Sequence, residues 1–341
     1  MKILHCSDLH LDAPTESRLP PEKAKERRNE LLTAFSRMVD SASKEGARAI
    51  IIAGDLFDRS NATKRSKKFV TEAALAHPDI DFLILVGNHD VNAFTESDAL
   101  PQNMFFLYSD AAPREYENVT VSAYSEDRVY DTDKINIAVL HGADGVDFEL
   151  SRMSGKNIDY LALGHYHTYS ETPIDKRGVA CYSGCLEGRS FDECGEKGYV
   201  LLDIDTDKKA LTHLFVPSSV RRVVEIPLDM TEGTVYTKQK ELFDAALKDV
   251  SRRDIIRVSV IGTYEPGREK FYDHICSDYS DEFYYIEIRD RSLVRIDPAD
   301  YVNDISLKGE FIRLVMSEVE DKEEQSRIIS IGLKALMGNL D

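Results

Sequence analysis

Tyr160-Leu161-Ala162-Leu163-Gly164-His165-Tyr166-His167 decides the fold. Its first four residues are a strand-sized apolar run, and Gly164 interrupts it. In a loop just past the end of that strand, both imidazoles can turn toward one point. Three earlier apolar runs end in the same way. Lys2-Ile3-Leu4-His5-Cys6 leads to Asp8 and His10, residues 47–53 lead to Gly54-Asp55-Leu56-Phe57-Asp58, and residues 82–86 lead to Gly87-Asn88-His89-Asp90.

Helical patterns lie between those runs. Pro20-Pro21 precede residues 22–44, where Leu31, Leu32, Phe35, Met38, Val39 and Ala42 recur at helical spacing until Gly46 stops them. A second helix is predicted over 63–76, ahead of Pro78. The order is strand, helix, strand, helix, strand. Each strand is nearly all apolar, as expected when helices cover both faces of a sheet. The polar residues follow the C-terminal ends of the strands, where open α/β sheets place their sites. The fold class is therefore α/β (α+β in the broad sense), a layered arrangement of central sheets flanked by helices.

Shorter strands are predicted over 119–123, 135–140 (ending at His141-Gly142), 159–163 and 179–182, with a hairpin of 198–205 and 209–216. The texture changes near Pro217-Ser218-Ser219. A compact αβ module follows, with strands at 220–228, 255–262 and 283–289 and helices at 235–250 and 268–276. Two helices, 306–319 and 322–337, close the chain. Phe311, Leu314, Val315 and Val319 make an apolar stripe on the first, and Ile328, Ile331 and Leu336 on the second. Such a pair more often packs on its own domain; docking on a partner helix is the alternative. The predicted division is 1–217, 218–300 and 301–341.

The 341 residues carry 42% hydrophobic and 30% charged side chains, in the range of a globular protein. The apolar runs are too short to span a bilayer. Met1-Lys2 runs directly into Ile3-Leu4 with no leader pattern, so a cytoplasmic location is expected. Five cysteines, an odd number with no CxxC pair, read as reduced thiols rather than a disulfide framework or a zinc site. The formal net charge of -18 argues against nucleic acid. Two local basic stretches, 23–28 and 64–68, run against that balance and read equally well as solvated helix faces or as phosphate contacts.

Five of the nine histidines, His10, His89, His141, His165 and His167, lie at these strand ends. With Asp8, Asp55 and Asn88 they can build a site for two metal ions roughly 3.5–4 Å apart. Asp55 is read as the bridging ligand, Asp8, His10 and His167 as the ligands of one ion, and Asn88, His141 and His165 as those of the other. Imidazole, carboxylate and amide donors without thiolate suit Mn, with Fe or Zn as alternatives. Such a pair of ions acidifies a water for in-line attack on phosphorus. His89, spare by count, is assigned as general acid or transition-state stabiliser. Asp58 is assigned to hold its tautomer.

The set DxH (Asp8, His10), GDxxD (Asp55, Asp58), GNHD (Asn88, His89), HG (His141) and GHxH (His165, His167) resembles the calcineurin-like metallophosphoesterase superfamily over about residues 1–190. Within it the chain is most similar to the SbcD type of DNA-repair nuclease subunit. That likeness is carried by residues 4–12 and 54–58, and by Ser183-Gly184-Cys185-Leu186-Glu187-Gly188 leading to Glu196-Lys197-Gly198-Tyr199. The resemblance implies the metallophosphoesterase layering, a capping domain from about Val220, and Mn-dependent exonuclease or endonuclease cleavage of DNA in double-strand-break repair. It also implies a homodimer and an SbcC-like coiled-coil ATPase docked on the C-terminal helices. The same site would also serve a phosphodiesterase acting on a small nucleotide or other phosphodiester, and the acidic surface suits that alternative. A non-catalytic scaffold fits the complete ligand set less well.

Overall fold

The computed structural model describes every residue except 14–18, 59–61, 89–93, 95–98, 266–267, 296–300, 302 and 337–341. The chain divides into two compact units, Met1–Val223 and Val224–Asp341.

Among its described residues the first unit holds twelve strands, two α-helices and a short 3-10 turn at Leu150–Met153. The strands and α-helices are β1 (Lys2–Cys6), α1 (Pro21–Lys44), β2 (Ala47–Ala53), α2 (Lys64–Ala76), β3 (Asp81–Leu85), β4 (Met104–Leu107), β5 (Arg114–Tyr116), β6 (Val119–Ala123), β7 (Ile135–His141), β8 (Tyr160–Gly164), β9 (Ser170–Pro173), β10 (Val179–Tyr182), β11 (Gly198–Asp205) and β12 (Ala210–Pro217). They form two six-stranded sheets, ordered β12-β11-β1-β2-β3-β4 and β5-β6-β7-β8-β10-β9. β1 to β4 run parallel, as do β6, β7, β8 and β10.

Strand periodicity explains the layers. Leu4, Cys6, Ile50, Ile52, Phe82 and Ile84 face one way and pack against Phe35, Met38 and Val39 of α1 and Val70 and Ala74 of α2. Ile3, Ala49, Ile51, Ala53 and Leu83 face the other way and meet Val121, Ile137, Val139, Tyr160 and Ala162 of the second sheet. The all-apolar strands are thus covered on both sides, as expected, but helices supply only one cover and a second sheet the other. A continuous apolar strand requires two apolar neighbours and does not specify what they are. Three strands of this unit escaped the sequence reading: β4 and β5, only four and three residues long, and β9, a polar edge strand exposed throughout.

The second unit contains β13 (Val223–Asp229), α3 (Tyr236–Leu247), β14 (Ile255–Ile261), β15 (Thr263–Tyr264), α4 (Tyr272–Tyr279), β16 (Tyr285–Asp290), β17 (Leu293–Val294), α5 (Leu307–Glu318) and α6 (Lys322–Leu336). A three-stranded sheet, β13-β14-β16, shares a core with α3 and α4 through Phe243, Val258 and Ile275. Helices α5 and α6 pack through Ile312, Val315, Ile329 and Leu333. The expected stripe is partly displaced: Leu314, Ile331 and Leu336 are exposed. Helix α5 carries apolar side chains at 311, 312, 314, 315 and 316, so spacing alone left open which side turns inward. No helix among the described residues is long and apolar enough to cross a membrane.

Candidate metal centre

The candidate residues follow the C-terminal ends of neighbouring parallel strands in both sheets: β1, β2 and β3 in one, β7 and β8 in the other. The loop after β1 is laced to the loop after β2 by three backbone bonds. Asp8 N donates to Gly54 O at 3.1 Å, His10 N to Asp55 O at 3.0 Å and Leu11 N to Leu56 O at 3.1 Å. This lacing needs unusual backbone. Asp8 (φ 52°), His10 (φ 43°), Asp55 (φ 50°) and His165 (φ 115°) all lie at positive φ. Each such residue costs on the order of 1–3 kcal/mol, and such strain gathers at functional sites. The two sheet edges also come unusually close. A Cβ on Gly164 would sit 2.0 Å from Ala53 O and 2.7 Å from His141 Nδ1, so only glycine lets β8 approach β2 there.

Two sets of donor atoms converge there: Asp8, His10 and His167, and Asp8, Asp55 and His141. Asp8 belongs to both. Asp55 Oδ2 lies 3.9 Å from His10 Nε2 and 3.3 Å from His141 Nε2, between the two imidazoles. The hydrogen bonds assign the tautomers. His141 Nδ1 is 2.8 Å from Ala53 O, a carbonyl that can only accept, so Nδ1 carries the proton and the Nε2 lone pair faces the Asp55 carboxylate. His167 Nδ1 donates to Glu193 Oε1 at 2.6 Å, which leaves Nε2 facing Asp8 Oδ1 at 3.8 Å. Lone pairs that face carboxylates in a buried site call for a cation between them.

A proton can also take that cation's place. Burial works against a charged His141, yet Asp55, Asp8 and the Ala53 carbonyl outweigh it and hold the imidazolium up to about 9. Burial raises the Asp8 carboxyl above its ordinary value, even though the Ser7 hydroxyl (2.5 Å), the nearby histidines and the His165 amide (3.1 Å to each oxygen) oppose that rise. A divalent cation satisfies all these groups together, and the donor chemistry fits one.

Asp8, His10, Asp55, His141 and His167 are therefore brought together. His165 stacks edge-on against His141, with ring centroids 5.7 Å apart, outside both tight sets. Asn88 is exposed and follows Gly87, whose backbone abuts Asp55. His89 lies outside the described residues, so its expected pairing with Asp58 does too. Among the described residues, Asp58 lies 3.2 Å from His10 Nδ1 and 3.3 Å from Arg189.

Sequence reasoning gave no role to Glu193, Arg189 or Lys197. Burial disfavours the Glu193 anion, but His167 and Arg189 bring its carboxyl down to about 2. It thereby orients His167 from behind, as carboxylates commonly do for metal-binding histidines. Lys197, almost wholly buried, donates to His167 O at 2.7 Å. A third donor set, His167, Cys185 and Glu193, already has the cations of Arg189 and Lys197 beside it and needs no ion. Lys197 stands in a stretch whose likeness was visible in the sequence, but nothing local shows that it points at a histidine 30 residues away. His5, read as structural, is buried with Nδ1 2.9 Å from the Tyr160 hydroxyl, and burial pulls its pKa down to about 3.

Comparison with known proteins gives these strand ends a family. The uncharacterised metallophosphoesterase YhaO of Bacillus subtilis is 27% identical over 236 residues, covering 60% of this chain and 57% of that protein. The DNA double-strand break repair protein Mre11 of Saccharolobus solfataricus is 25% identical over 339 residues, covering 88% and 85%. The Mre11 of Aeropyrum pernix is 33% identical over 298 residues, covering 75% and 71%. The model of the calcineurin-like phosphoesterase family matches residues 1–173, the stretch that holds every strand end of the site, and the chain belongs to that family.

Proposed function

We propose that this chain is a metal-dependent DNA nuclease that hydrolyses phosphodiester bonds at a two-ion centre, with Mn as the ion. The observation that carries the reading is the pair of donor sets sharing Asp8, built where two sheet edges meet in a phosphoesterase. The relatives' names support DNA as the substrate and double-strand-break repair as the setting. Asp8, His10, Asp55, Asn88, His141, His165 and His167 hold the ions, with Asp55 between His10 and His141.

Bound there, the ions supply Lewis-acid polarisation of the phosphate and a more acidic water. The chain supplies position and proton transfer. Glu193 and Asp58 fix the rings of His167 and His10. His89 delivers a proton, or a positive charge, to the leaving oxygen. We further propose a homodimer and a coiled-coil ATPase partner of the SbcC type, placed on α5 and α6. Leu314, Ile331 and Leu336, exposed on that hairpin, support such docking.

The test is cleavage of labelled single- and double-stranded DNA by the purified chain with Mn, beside an Asp8→Ala variant. Mn-dependent cleavage lost in the variant is the expected result. Rapid turnover of a small phosphodiester with DNA left intact would replace the nuclease by the small-substrate phosphodiesterase, which the net charge of -18 favours.

A further inference from the structure

The two basic stretches, far apart in sequence, come together in the first unit. Lys25, Arg28 and Asn29 of α1 and Arg65 and Ser66 of α2 line one surface pocket of about 320 Å³, floored in part by Leu11 and Leu32. Lys25 and Arg28 are three positions apart on α1 and share a face. Arg65 reaches across to Asn29 Oδ1 at 3.5 Å.

Among the described residues, the three cations lack the carboxylate partners that surface cations usually find. Two of the acids on the same helix are taken by other cations: Arg221 bonds Glu26 and Glu30, and the buried Arg27 bonds Glu30 together with Glu187 from outside the helix. Asp12, the one carboxylate among the described residues that line the pocket, spends its oxygens on the backbone amides of Asp58 (2.8 Å) and Thr63 (3.2 Å). Lys25, Arg28 and Arg65 make no ion pair among the described residues, in a chain whose net charge is -18.

The pocket also adjoins the metal centre along the chain. Leu11 and Asp12 are the two residues after His10, and Asp58, whose amide Asp12 holds, lies 3.2 Å from His10 Nδ1. We propose that this pocket is a docking surface for the phosphate backbone of a nucleic acid whose scissile bond lies at the metal centre. The inference rests on the DNA reading given above. A small phosphodiester held at the ions has no need of cations spread over two helices beside them. A polymer carries further phosphates that do, and phosphate contacts of this kind position a strand without reading its sequence.

The test is the combined variant Lys25→Ala, Arg28→Ala, Arg65→Ala, compared with the unchanged chain by fluorescence anisotropy on a labelled DNA duplex over a range of salt. Each lost phosphate contact lowers the slope of log affinity against log salt by about 0.9, so the triple variant flattens it by about 2.7. Mn-supported hydrolysis of bis(4-nitrophenyl) phosphate stays unchanged. If the triple variant does not fold, Arg65→Gln alone flattens the slope by about 0.9. An unchanged slope in a chain that binds DNA overturns the docking surface. Equal loss of small-diester hydrolysis overturns it too, since the residues would then be supporting the metal centre. Hydrolysis of the small diester by an unchanged chain that binds no DNA defeats the nuclease reading itself, and this inference with it.

Discussion

In the first unit the parallel strands β1, β2 and β8 end in Asp8, Asp55 and His165 at positive φ, and the carboxylates there meet one another and imidazole lone pairs. In the second unit the parallel strands β14 and β16 end at Gly262 and at the turn from Asp290 to Ser292. Gly262 is the one residue of that unit with positive φ among those described. Asp290 takes Lys270 at 2.7 Å and the Ser292 amide at 2.9 Å, so its charge is matched where it stands. Every donor set for a cation found among the described residues falls in the first unit. Both units use the same strand–helix alternation. The difference is that one leaves buried charge unbalanced on a strained backbone and the other balances it, and the imbalance marks the site.

The contrast can be broken in several ways, and the strongest is at the proposed proton donor. His89→Ala should keep the bound metal yet lower turnover by about 10²–10⁴-fold. His165→Ala should weaken metal binding instead. Metal analysis and kinetics on both variants separate the roles, and equal metal loss would make His89 a ligand.

Next in size is the close approach of the sheets. In Gly164→Ala the new methyl meets the Ala53 carbonyl and His141, and overpacking of that kind costs about 3 kcal/mol. Thermal melting should show the loss, together with reduced metal content. A variant as stable and as metal-rich as the parent would mean that the edges have room to part.

A smaller effect belongs to the residue behind His167. Glu193→Gln should lower metal affinity by about 10–100-fold while the fold persists, because the ring loses its charged partner. Titration of the metal-free protein with Mn reads this directly, and an unaltered affinity would show His167 orienting itself.

The smallest effect tests the other side of the contrast. Gly262→Ala strains a residue at φ 90° and presses on the side chains of Asp229 and Thr231, at a cost of about 1–2 kcal/mol. Metal content should not change. A loss of metal would connect the second unit to the centre in a way that its own chemistry does not show.

Much of this architecture was legible in the chain. The apolar runs at 2–6, 47–53 and 160–163, each broken by Gly, Asp or His, announced parallel strands with a site at their C-terminal ends, because burial and periodicity are local properties that a sequence displays. Asp8, His10, Asp55, His141 and His167 could be grouped from that pattern alone. The tertiary structure decided the rest. It placed a second sheet, not a helix layer, over β1 to β3, because apolar burial is non-directional and accepts any apolar cover. It set the side of α5 that turns inward, leaving Leu314 in solvent. It brought Glu193 to His167 across 26 residues and Arg65 to Asn29 across 36, since hydrogen bonds depend on distance and angle, which spacing along the chain does not encode.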